Sequence, residues 1–202
     1  MQKKYFIYLT FMLFGSNLFS QIAYPTQPTG AYYENLKAKV IPAIPTQEAL
    51  IVAKPNTIPV NFKDTLLKYD WYEISSYYFY EKTYTSYFLD DLDDREKVQA
   101  SNQFEFKRYT PKGIQYNMSL HRYKDGTLKV NHTTFDENTA TKLLEVKKVG
   151  TKTMMVQENY GEKEMIEIIS YNNGVMIVSV KQTPNATIKK YHIAYLAVDK
   201  TF

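Results

Sequence analysis

Arg122 and His132 are the residues whose surroundings give them chemical possibilities. They are a guanidinium and an imidazole that local alternation sets beside Met118, Leu120, Leu128 and Val130. Polar groups bordering an apolar surface can hold the carboxylate or hydroxyl of a small, otherwise greasy ligand. The plainer role is structural: His132 hydrogen-bonded in a core, and Arg122, next to a turn, reaching its guanidinium out to water. Signatures of catalysis are missing from the sequence, with no HExxH, GxSxG, phosphate-binding loop or GxGxxG. Without cysteine, and with three scattered histidines, the chain offers neither a zinc ligand set nor a cysteine nucleophile. The aspartate-rich run at 90–97 lacks the glycine and terminal glutamate of a calcium loop, so it reads as a solvated helix or loop. The chain is therefore read as a non-enzyme with no cofactor and no metal.

The element that must position Arg122 and His132 is a β-hairpin. Ile114, Tyr116, Met118 and Leu120 alternate with Gln115, Asn117, Ser119 and His121, and Leu128 and Val130 alternate with Lys129 and Asn131. Lys124-Asp125-Gly126 lies between the two runs. A two-residue turn would oppose Leu128 and Val130 to Tyr123, His121 and Ser119. A three-residue turn with a left-handed Gly126 sets them beside Arg122, Leu120 and Met118. Only the latter keeps the apolar rows together, and a slip of one residue would turn a whole strand over. The candidate ligand-binding row is thus Tyr116, Met118, Leu120, Arg122, Leu128, Val130 and His132.

The same rhythm continues along the chain. Runs at 102–110, 114–123, 127–134, 141–149, 152–159, 163–172, 175–182 and 187–198 read as strands punctuated by Gly113, Gly126, Gly150, Gly161 and Gly174. Asp136-Glu137-Asn138 and Pro184-Asn185-Ala186 supply turns that lack glycine. The aromatic-rich stretch from Asp64 to Leu89 adds strands at 71–80 and 83–89, with rings on both parities. Short strands joined by tight turns make an antiparallel up-and-down meander. At about eight to ten strands, such a meander is expected to close into a barrel and so lose its edges. The fold class is all-β.

Lys3 and Lys4 precede the apolar run from Tyr5 to Phe14, and small and polar residues follow, which is the order of a signal peptide over 1–20. Residues 21–62 hold Pro25, Pro28, Pro42, Pro45, Pro55 and Pro59, and are expected to form an extended arm docked on the barrel domain, 63–202. No regular element is expected to run through that arm. The leader carries two lysines and no acid, so beyond it the 25 basic residues fall to 23 against 21 acidic ones. That near-balance gives no reason to expect nucleic acid as partner. No segment after the leader is long and apolar enough for a transmembrane helix. The chain is expected to be exported, to the periplasm, the outer-membrane periphery or the medium.

Lys68-Tyr69-Asp70-Trp71-Tyr72-Glu73-Ile74-Ser75 resembles the first-strand signature of the lipocalins, where tryptophan precedes Tyr-Glu-Ile-Ala. The resemblance implies a calycin-like barrel that carries a small apolar or lipidic ligand, with Trp71 closing one end of the core. A second reading makes the chain a structural or interaction subunit of a bacterial envelope complex, with a filled barrel and an arm on a partner protein. A third, a small outer-membrane barrel, is suggested by the terminal Phe202 and opposed by the lysines that interrupt most apolar rows, Lys142 and Lys148 among them.

Overall fold

The computed structural model of the chain describes residues 30–86, 102–111, 113–122, 128–132, 141–182 and 188–200. The leader at 1–20, the start of the arm, the aspartate-rich run at 90–97, the turns at 123–127, 133–140 and 183–187, and Phe202 lie outside those residues.

The arm is not simply extended. It carries α1 (Gly30–Val40), a 3-10 turn (Ile41–Ala43) and α2 (Gln47–Ile51), and it runs into α3 (Phe62–Lys68). The boundary expected at residue 62 therefore falls at the first residue of a helix. Proline excludes helix interiors but not first turns, so Pro42 is accommodated at the start of the 3-10 turn, and 30–40 and 47–51 are proline-free. Local capping supports these short pieces. Thr46 caps α2, its hydroxyl accepting from the Ala49 N–H at 3.2 Å. Lys37 and Lys39 sit in the last turn of α1, where the dipole favours cations.

Among the described residues ten antiparallel strands follow: β1 (Tyr69–Tyr78), β2 (Thr83–Ser86), β3 (Asn102–Tyr109), β4 (Ile114–Arg122), β5 (Leu128–His132), β6 (Thr141–Val149), β7 (Lys152–Asn159), β8 (Glu162–Asn172), β9 (Val175–Gln182) and β10 (Lys189–Asp199). Their spatial order is β5-β4-β3-β1-β10-β9-β8-β7-β6, with β2 paired to β1. β1 shares one side with β3 through Asp70, Trp71 and Tyr72 and with β2 through 75–78, while β10 covers its other side. Pairing of first strand with last is how an up-and-down barrel closes. Yet the ring stays open between β5 and β6, which pair only with β4 and β7 among the described residues. The expected closure is therefore not found. The two end strands suit an open edge: β5 has only five residues, and β6 carries Lys142, Glu145, Lys147 and Lys148, charges that discourage pairing with another strand.

Two tight turns show why the meander forms where it does. Tyr160-Gly161 and Asn173-Gly174 both have positive φ at each residue (48° and 84°, 49° and 78°), the geometry that matches the twist of flanking strands. Glycine and asparagine tolerate it, whereas tyrosine does so at a cost.

An extra residue, Ile74, bulges from β1 between Glu73 and Ser75. Around it β1 is buried on both faces, which is why its aromatics occupy both parities. On the Trp71 face, Trp71, Met155, Ile166, Ile168, Met176, Val178 and Ile193 pack with Ile58, Phe62 and Leu66. On the opposite face, here the Tyr72 face, Tyr72, Ile74, Tyr77, Ala194, Leu196 and Val198 pack with Leu36, Val40 and Leu50. The arm thus serves both sides of the same strands. α3 covers the Trp71 face, and α1 with α2 straps the other.

Candidate functional site

Trp71 has no exposed surface. Its indole Nε1 donates to the Leu66 carbonyl of α3 at 3.1 Å. Its ring lies 6.2 Å from Phe62 and 6.1 Å from Tyr171, while Phe62 and Tyr171 meet edge to face at 4.9 Å. These groups come from α3, β1 and β8, and they cover that end of the Trp71 face with the chain's own side chains.

The rest of the row expected to line a ligand site is placed by strand register. Leu120 opposes Val130, Arg122 opposes Leu128, and Met118 opposes His132, the pairing that a three-residue turn requires. β3 relays this row onward: Met118 opposes Phe106, which opposes Tyr72. Directly opposed residues share a face. Met118, Leu120, Arg122, Leu128, Val130 and His132 are therefore in register with Tyr72, and Trp71, opposite Lys107, belongs to the other side. Tyr116 lies in the irregular stretch where β4 carries one more residue than β3. Backbone register links the candidates of β4 and β5 with one another and, through Phe106, with Tyr72, while Trp71 stands opposite Lys107.

The Trp71 face turns polar toward its far end. Tyr78 and Tyr191 stack there at 5.0 Å and 20°, and Gln182 Nε2 donates to the Tyr191 hydroxyl at 3.1 Å. Burial pushes the Tyr191 phenol up to about 12, and the negative charges of Glu164 and Glu73 add to the effect. At neutral pH this phenol is a hydrogen-bonding group and not a base. Lys107 Nζ lies 4.8 Å over the Tyr195 ring on the same face.

Two buried polar features were not singled out by the sequence. Arg108 grips Asp70 with two parallel bonds, 2.7 and 2.8 Å long, and the Asp70 side chain is only 2% exposed. Nothing in the sequence pairs them, because β1 and β3 are joined by a long connection. The second is His192, 3% exposed, whose Nδ1 lies 2.7 Å from the Leu50 carbonyl of α2. A carbonyl only accepts, so Nδ1 carries the proton and Nε2 is the bare acceptor. Burial lowers the His192 pKa, the Leu50 hydrogen bond opposes that, Lys190 adds to it and Glu167 works against it. A signal for His192 did exist, since it shares parity in β10 with Ala194, Leu196 and Val198.

Among the described residues no group of three or more His, Cys, Asp or Glu could hold a metal ion, and no helix is long and apolar enough to cross a membrane. No protein-family model matches the chain, and no curated protein matches it.

Proposed function

We propose that this chain is an exported, non-catalytic interaction module of the bacterial envelope, with its core filled by its own arm. The observation that carries this reading is the insertion of Ile58, Phe62 and Leu66 against Trp71. Those side chains stand where a lipocalin-type carrier would hold its apolar ligand, so a lipidic cargo is the weaker reading. The arm also offers a contact surface. Ile41, Ile51 and Val52 are exposed beside neighbours that are fully buried, and Val60 is 97% exposed. Apolar groups kept at the surface of an otherwise well-packed arm suit a protein partner.

Native mass spectrometry on protein taken from its own envelope tests the reading. A mass equal to the polypeptide alone is expected, and a retained lipid-sized increment overturns it in favour of a carrier. Ile51→Glu with Val52→Glu is expected to leave the fold intact and to abolish co-purification of the partner. Deleting 21–62 is not an equivalent test, because it also removes Leu36, Val40, Leu50, Ile58 and Phe62 from the two cores.

A further inference from the structure

The strap formed by α1 and α2 rests on a row of polar residues. Across the Tyr72 face, Tyr84 opposes Tyr77, Tyr77 opposes His192, His192 opposes Ser179 and Ser179 opposes Glu167. In the next row Ser86 opposes Ser75. The Ser179 hydroxyl and His192 Nε2 are buried and find no hydrogen-bond partner among the described residues, while the Ser75 and Ser86 hydroxyls meet the Tyr84 phenol. Each of the first two carries a desolvation cost while it stays covered. Two side chains of the sheet bond the strap's backbone in return: Tyr84 donates to the Pro45 carbonyl at 2.8 Å, and His192 Nδ1 donates to the Leu50 carbonyl at 2.7 Å. Leu36, Val40 and Leu50 supply its apolar contacts.

We propose that α1 and α2 form an acid-releasable strap: His192 holds it through Leu50 when neutral, and protonation of the buried imidazole frees it from the sheet. An imidazolium could still donate through Nδ1. Its second N–H, however, would add a charged donor at an Nε2 that is buried and meets no hydrogen-bond partner among the described residues. The groups facing the ring do little to compensate the new charge. Lys190, on the same strand, adds positive charge and lies 4.6 Å over the Phe79 ring. Phe79 itself meets the imidazole edge to face at 4.7 Å. From β8, Glu167 is the one carboxylate in the row, and Lys152 of β7 already pairs with it at 2.6 Å. β1 and β2 present Tyr77 and Tyr84, and α2 presents Glu48, whose side is exposed and which acts on Tyr84. The sign follows from linkage. A histidine whose pKa is depressed when docked contributes docking stability that is full above its free value, about 6.5, and is lost as pH falls from there through the docked value.

Hydrogen exchange of the full mature chain, corrected for the intrinsic pH dependence of exchange, tests this. Between pH 7.5 and 5.5, opening of peptides within 36–52 is expected to rise, by up to about tenfold, the limit set by a freed imidazole that titrates near 6.5. Peptides within 152–182 are expected to hold their protection. His192→Asn keeps a side-chain N–H for Leu50 but cannot titrate, so its strap is expected to be insensitive to pH. The proposal is overturned by a strap whose exchange does not change in the wild-type chain, by opening spread evenly over the sheet, or by an acid response that persists in His192→Asn. If that variant does not fold, an NMR titration of His192 decides. A curve that tracks strap opening supports the proposal, and one that runs independently of it overturns it. None of these outcomes bears on whether a partner binds the arm.

Discussion

α3 on the Trp71 face and the strap on the Tyr72 face cover the same two central strands, yet they do so by different chemistry. Beneath α3 lie interlocked aromatics, and the indole N–H there has an acceptor in Leu66. Beneath the strap lie His192, whose Nε2 meets no partner among the described residues, and Ser179, whose hydroxyl meets none either. A cover that satisfies what it buries belongs to the core and should leave only when the whole domain unfolds. A cover that leaves polar atoms stranded is held with a smaller margin and can come away alone. The contrast makes the arm two devices in series, one permanent and one conditional.

The sharpest way to break that contrast is Phe62→Ala. It should remove about 3–5 kcal/mol of global stability, because a fully buried ring is lost between Trp71 and Tyr171. Denaturant unfolding followed by Trp71 fluorescence measures it, and a loss below about 1 kcal/mol would make α3 as dispensable as the strap. Asp70→Asn should come next at about 3 kcal/mol, since it leaves the largely buried Arg108 without its counter-charge. Its effect should appear in the same global transition. Leu50→Ala, by contrast, should cost about 2 kcal/mol and appear mainly as local exchange in 36–52. If Leu50→Ala instead lowers the global midpoint as far as Phe62→Ala does, the two covers are one cooperative unit. Smallest of all, Tyr160→Asn should stabilise the β7–β8 turn by roughly 0.5–1 kcal/mol, because asparagine accepts the positive φ that tyrosine resists. That change lies far from both covers and should leave strap exchange untouched.

Much of the sheet was legible because its signals are local. Strands at 141–149, 152–159 and 175–182 occur at the bounds that alternation and turn glycines indicate. The hairpin register follows from keeping apolar rows together, as the pairing of Leu120 with Val130 shows. What escaped depended on distant partners. The side on which the Met118–Leu120 row lies is decided by ladder pairing through Phe106 to Tyr72, and β4 carries an extra residue on the way. No periodicity within the hairpin contains that information. The helices of the arm were hidden by reading its prolines as a continuous veto, when they leave gaps long enough for single turns and one longer helix. Closure was inferred from strand number alone, and the charges of β6 and the shortness of β5 tell against it. His192 drew no attention because its acceptor, Leu50, lies 142 residues away in the chain.

The pairing of β1 with β10 has a consequence for how the molecule comes into being. Tyr69 stands opposite Asp199, so the middle of the sheet cannot zip up until residue 199 has been made. Until then the β1 aromatics lack their main cover, and the chain stays loose, slow to mature and open to capture by chaperones. A polypeptide built this way stays pliable through most of its synthesis and acquires its shape only once β10 is complete.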